Sequence, residues 1–180
     1  DGGDYTDSVA TSADAIFIMG ELFGTMFFDT VEPPSTIERI SESSFDSYIL
    51  RMEPDGTRTW ARSWGGINAK TRARDIAVSQ TNILLVGKIE GGEVNFGTAE
   101  SPEVRSVSEH SLGNSFILSL DFNGNQTWVR TLPGDGYRPW IINKQTNYDH
   151  NFAGAVAAKG GFGAVAGAFW GTVDLDFGEG

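Results

Sequence analysis

Two stretches of the chain alternate with a period of two. Tyr48, Leu50 and Met52 are interleaved with Ile49 and Arg51, and Phe116, Leu118 and Leu120 with Ile117 and Ser119. That is the pattern of a pleated strand, whose successive side chains point to opposite faces. Each stretch runs into a dipeptide that tolerates the positive φ of a tight hairpin turn, Asp55-Gly56 or Asn123-Gly124, and then into a second strand bearing Thr59-Trp60 or Thr127-Trp128. Three further segments, Ala15 to Met19, Ile83 to Val86 and Ala164 to Ala166, are nearly unbroken apolar runs. Such runs suit strands covered on both faces, so the three are expected to be equivalent and buried.

The strands recur in phase. Ser44 to Gly66 matches Leu112 to Gly134, with Asp46 opposite Asn114, Gly56 opposite Gly124 and Trp60 opposite Trp128, each pair 68 positions apart. A second block occurs three times, from Ser8, from Asp75 and from Ala155. Its glycines Gly20, Gly87 and Gly167 end the apolar strands at spacings of 67 and 80, with Gly24, Gly91 and Gly171 following in step. Units of about four short strands, each unable to cover both of its faces alone, predict an all-β fold of radially packed β-propeller blades. The units fall at approximately 1–64, 65–132 and 133–180, within one partial propeller domain of tandem four-stranded antiparallel repeats.

The strings DSYILRMEPDGTRTWARSWGG, DIAVSQTNILLVGKIEGGEVNFG and GAVAGAFWGTVDLDFG resemble the bacterial-type β-propeller repeat called SBBP. In that repeat an Asp-aromatic strand, a Gly turn, a Trp strand, a Gly-Gly step and a Gly-bounded apolar strand recur. The resemblance covers nearly the whole chain apart from inserts at about 31–43, 99–111 and 135–152. It implies a propeller fold and a surface or secreted multidomain protein, and supplies no catalytic motif. Asn114 replaces the usual Asp in the second copy, and Pro133-Gly134 replaces the Gly-Gly step. The chain opens at Asp1 without an initiator Met, and Asp176-Phe177-Gly178 is not followed by a further hairpin. It is therefore expected to be an excerpt or processed product whose missing blades come from the same polypeptide or from other chains.

Composition narrows the function. With 39% hydrophobic and 21% charged residues the chain is globular, and 23 glycines with 12% aromatics favour short strands and tight turns. A net charge of -11 opposes binding to nucleic acid phosphates. The absence of cysteine excludes disulfides and thiol chemistry, and no apolar run reaches the length of a membrane helix.

The candidate sites are few. Trp60 and Trp128 share a repeat position and are expected to be buried at seams between units, each with an Arg, Arg62 or Arg130, on the same strand face. Trp64, Trp140 and Trp170 lack such counterparts and are the candidates for glycan stacking. Asp121, Asn123 and Asn125 place oxygens at alternate turn positions, as do Glu53, Asp55 and Thr57, so calcium is the alternative to plain turn chemistry. Asn125-Gln126-Thr127 is also an N-glycosylation acceptor. Arg58, Arg62, Lys70, Arg72 and Arg74 form a basic island, whereas residues 1–55 hold twelve acids and only two bases, a contrast that could join copies or partners. There is no G-x-S-x-G, P-loop or H-E-x-x-H, and the only histidines, His110 and His150, lie in inserts. The expectation is a non-enzymatic structural or interaction module, extracellular or on the cell surface, that needs no cofactor. Its partners would be other protein chains, further blades or a surface polymer. The alternatives are a lectin-like propeller and a glycosidase-like one with two facing carboxylates.

Overall fold

A computed structural model describes residues 4–27, 36–38, 45–98, 100–107, 113–132, 139–142, 145–148, 152–160 and 162–168. Every regular element among them is a strand, and no helix long and apolar enough to cross a membrane is present. The first unit comprises β1 (Tyr5–Thr11), β2 (Ile16–Leu22), a short hairpin of β3 (Thr25–Phe27) and β4 (Thr36–Glu38), then β5 (Asp46–Met52) and β6 (Arg58–Trp64). The second repeats it with β7 (Lys70–Val78), β8 (Ile83–Glu90), a short hairpin of β9 (Glu93–Asn95) and β10 (Val104–Ser106), then β11 (Asn114–Leu120) and β12 (Gln126–Leu132). The remaining strands are two pairs, β13 (Pro139–Ile142) with β14 (Gln145–Tyr148), and β15 (Phe152–Lys159) with β16 (Phe162–Ala168).

Each full unit is one antiparallel four-stranded sheet, ordered β1-β2-β5-β6 in the first and β7-β8-β11-β12 in the second. The 67- and 68-residue phases are therefore a structural repeat. It also includes β3–β4 and β9–β10, so the first two inserts are equivalent excursions of one motif. Val94 and Phe96 are buried at the base of the second excursion, and the Phe96 ring packs on Phe116 at 5.1 Å between centroids.

Alternation along the strands divides each sheet into two faces. Phe17, Met19 and Ile49 of the first sheet meet Ile83, Leu85, Phe116, Leu118 and Leu120 of the second in the main core. The second sheet's other face, with Leu84, Val86 and Ile117, packs on Ala153 and Val156 of β15. Central strands β2 and β8 are paired on both edges. β8 is also covered on both faces, which suits its continuously apolar sequence, whereas β2 is fully buried at Phe17 and Met19 and only partly at Ile16 and Ile18. Both strands run past the glycines predicted to end them. Gly20 and Gly87 instead sit where the neighbouring strand bulges, between Thr6 and Ser8 or Ala73 and Asp75. There a Cβ would lie 1.8 Å from the Tyr5 carbonyl oxygen or 2.3 Å from that of Arg72.

The third apolar run departs from expectation. Ala164 to Ala166 are exposed, as is every residue of β16. The physical reason is that β16 pairs only with β15 among the described residues, lacking the partner that β5 and β11 provide for β2 and β8.

The first strands of the three units lie together. Asp75 on β7 accepts from Ser8 Oγ of β1 at 2.8 Å through Oδ1, and from the Val156 N–H of β15 at 2.8 Å through Oδ2. Ser8, Asp75 and Ala155 open the three copies of the sequence block, so this clasp joins nearly equivalent positions of successive units.

Candidate functional site

The seam between the two sheets ends at the predicted tryptophan. Trp60 on β6 is half-buried and tilts against Phe17 and the β11–β12 turn. Its Nε1–H donates to the Phe122 carbonyl at 3.2 Å, and its ring atoms stand 3.1 Å from where a Gly124 Cβ would be. Phe122 packs on Phe17 at 6.0 Å, and Arg62 Nη2 donates to Asn125 Oδ1 at 3.2 Å. Trp60 and Arg62 thus grip the next unit's turn, by ring and by guanidinium.

Trp128, expected to be buried equivalently, is 38% exposed. The register places it on the face of the second sheet that carries Leu84, Val86 and Ile117. β15 covers the inner half of that face, while among the described residues no turn lies over the outer half where Trp128 stands. Trp64, a candidate stacking platform, is 4% exposed and belongs to the main core, so it cannot offer its ring to a glycan. Trp140 lies on β13, which pairs with β14. Trp170, His110, His150, Gly171, Pro133-Gly134 and Asp176-Phe177-Gly178 lie outside the described residues.

The two hairpin turns are three-residue loops in which the glycine, Gly56 or Gly124, takes a positive φ of 92° or 79°. In the second, Asp121 Oδ1 accepts from the Asn123 and Asn125 N–H groups and Oδ2 from Asn125 Nδ2. Slight burial pushes the Asp121 carboxyl up, but these hydrogen bonds together bring it below the ordinary range. Asp121 and Asn125 do stand together, with their oxygens engaged in the turn and with Arg62; Asn123 contributes its backbone N–H. The amide nitrogen of Asn125, which a glycan would occupy, is held by Asp121. Among the described residues no three His, Cys, Asp or Glu side chains are grouped to hold a metal ion.

The basic island is divided by the fold. Lys70 pairs with Glu90, and Arg72 lies 3.9 Å from both Glu21 and Glu90 while its guanidinium sits 4.3 Å over the Phe45 ring. Arg62 is engaged in the seam. Lys88 is buried, 2.9 Å from Glu90 Oε1. Burial, helped by the nearby charges of Lys70, Arg72 and Arg74, pushes its ammonium down to about 8. Burial likewise pushes the Glu21 carboxyl up, against the attraction of Arg72.

At the other end of the inner strands is a cleft of about 670 Å³, lined by the turns 11–15, 78–80 and 159–160 with Arg51 and Phe122 beside them. The hydroxyls of Ser12 and Ser79 bond within their own turns, to Ala15 and Asn82 carbonyls. Arg51 Nη1 is 3.0 Å from Glu53 Oε1. Ser12, Ser79 and Arg51 are thus each engaged with a neighbour in the turns that line the cleft.

The Asp46 carboxylate shows why a glycine step follows the Trp strand. Asp46 is fully buried, and a Cβ on Gly65 would fall 1.9 Å from its Oδ1. Sequence periodicity pointed to both residues without revealing that one occupies the space the other leaves. Comparisons with known protein families and with curated proteins returned no match.

Proposed function

We propose that the chain forms blades of an SBBP-like β-propeller that serves as a non-enzymatic structural and interaction module of an extracellular or cell-surface protein. The observation that carries this reading is the directed joint between the first two units, with the clasp that also draws in β15. Successive sheets stack face to face, their first strands are drawn together by the Asp75 clasp, and the outer Trp-Arg pair of one unit receives the turn of the next. Units held close at one edge and stacked in one sense are the arrangement of blades around an axis. The resemblance of the repeat strings supports surface exposure, and the acidic charge suits a soluble module.

Binding of the purified chain to isolated surface polysaccharides and to a glycan array, run beside hydrolysis of chromogenic glycosides, tests the function. The module reading expects no turnover. Hydrolysis abolished by a single carboxylate-to-amide substitution would replace it with the glycosidase alternative. Glycan binding lost in Trp140→Ala or Trp170→Ala would replace it with the lectin alternative.

A further inference from the structure

In the joint between the first two units, a tryptophan and an apolar sheet face receive a β-hairpin turn. The second unit carries the same features in the same register: Trp128 for Trp60, Arg130 for Arg62, Leu84 for Phe17 and Ile117 for Ile49. The inner half of this second face is occupied by β15. At its outer half Trp128 is exposed, and among the described residues its indole N–H has no acceptor and Arg130 reaches only the Val129 carbonyl at 3.4 Å. On the same face, β16, whose Gly163 lies against Leu84, offers a strand edge with no described partner and with Phe162 84% exposed. The corresponding edges of β2 and β8 are filled by β5 and β11.

We propose that the β16 edge and Trp128 together form a socket for one Gly-turn β-hairpin of the kind made by β11–β12. This deepens the module reading and rests on it. The incoming first strand adds antiparallel to β16, donating and accepting the backbone hydrogen bonds of a sheet edge. Its alternate apolar side chains then cover Ile117 and Leu132. Its turn lies over Trp128, presenting a carbonyl to the indole N–H as Phe122 does to Trp60. The turn must have glycine at the position of Gly124, because any Cβ there would press on the ring at about the 3.1 Å seen in the existing joint. An amide or hydroxyl one residue later gives Arg130 the acceptor that Asn125 gives Arg62. The occupant is therefore specified as a hairpin with an apolar alternating strand, an Asn-Gly or Asp-Gly turn and an oxygen-bearing residue after it.

The test uses the whole chain and a fluorescein-labelled, head-to-tail cyclised peptide of residues 114–132 with its own tryptophan replaced by phenylalanine. Anisotropy should show saturable binding, weakened about ten-fold or more by Trp128→Ala in the chain and by Gly124→Val in the peptide. Trp128→Ala removes an exposed ring, and circular dichroism will verify that the variant is folded. In parallel, residues 113–132 joined after Gly180 by a flexible linker raise the local concentration of the hairpin, and acrylamide quenching of Trp128 should fall. No binding in trans together with unchanged quenching in the fusion overturns the proposal, as does binding indifferent to Trp128→Ala. Concentration-dependent self-association abolished by Trp128→Ala, with no affinity for the peptide, would assign the surface to a second copy and also overturn it. None of these outcomes depends on glycan binding or hydrolysis, so they are separable from a failure of the module reading.

Discussion

Trp60 and Trp128 occupy one repeat position in two environments, and the difference between their alanine variants isolates the energy of the seam. A tryptophan buries roughly 150–250 Å² when enclosed. Trp60, half-buried against Phe17 and the β11–β12 turn, forfeits roughly 100 Å², or about 2.5 kcal/mol at 25 cal/mol per Å². Losing the indole bond to the Phe122 carbonyl adds a few tenths to about 1 kcal/mol, since that turn carbonyl can turn to water. Trp60→Ala should therefore cost about 3 kcal/mol, whereas Trp128→Ala, at a site 38% exposed with no described turn over it, should cost less, about 1–2 kcal/mol. With a urea slope of about 2 kcal/mol/M, the midpoint falls by about 1.5 M in the first variant and about 0.5–1 M in the second. Trp60→Phe keeps most of the apolar contact and loses only the donor, so it should fall between them. Equal midpoint shifts for the two alanine variants would refute the assignment of Trp60 to the inter-unit seam, as would a Trp60→Ala shift below about 0.3 M.

Gly65→Ala should destabilise by about 1–3 kcal/mol, because the buried Asp46 carboxylate has no free space to yield; a denaturation midpoint matching wild type would contradict the tight fit. Asp75→Ala removes the acceptor for Ser8 and Val156, and should raise amide hydrogen exchange in β15 while leaving that of β11 unchanged. For Lys88, the folded-state pKa near 8 lies below its ordinary 10.5, so between those values the unfolded chain binds more protons and this group makes stability rise with pH. Tyr48, whose hydroxyl is pushed above 10 chiefly by burial, opposes it only at higher pH, so melting temperatures from pH 8 to 10 should climb in wild type and be flatter in Lys88→Met. Asp121→Ala frees two backbone N–H groups of the turn and should cost about 1 kcal/mol by thermal melting, with no added sensitivity to calcium chelation if turn hydrogen bonding is the residue's role.

The strands were legible because their physics is local. Period-two alternation at Tyr48 to Met52 and Phe116 to Leu120 identifies β5 and β11, and a glycine that must take positive φ identifies the turns that follow. Phase then supplied what a single strand cannot, namely that two sheets share one order of strands. Burial was less legible, because it depends on neighbours rather than on the residue. Trp60 and Trp128 have the same local sequence, yet among the described residues only the first has a turn laid over it, and Ala164 to Ala166 are as apolar as Ile83 to Val86 while their strand has one described partner. Trp64 misled in the opposite sense: lacking an aromatic counterpart, it looked free of structural duty, while Leu132 fills the same register in the second unit and apolar volume alone satisfies the position. The charge pattern was legible as composition and illegible as a surface, since Lys70 and Arg72 turn towards Glu90 and Glu21 across strands.

The joint is directional, and direction constrains how such units can assemble. One side contributes Trp and Arg, and the other a glycine turn with an oxygen-bearing residue behind it. The β5–β6 turn at Gly56 has open space where Gly124 meets Trp60, while among the described residues no turn lies on Trp128. The two unmatched halves thus stand on opposite faces of the stack, so copies that mate through them do so head to tail. Repeating a directed contact gives either a ring or an open filament, according to whether the rotation per unit closes. The Asp75 clasp biases that choice. It holds first strands of three successive units within hydrogen-bonding reach, whereas the outer strands are separated by whole side chains such as Trp60, so each joint opens outward from the same edge. On the proposed propeller reading, a stack pinched along one edge would curve about that edge, and further joints of the same geometry would bring its open faces towards each other.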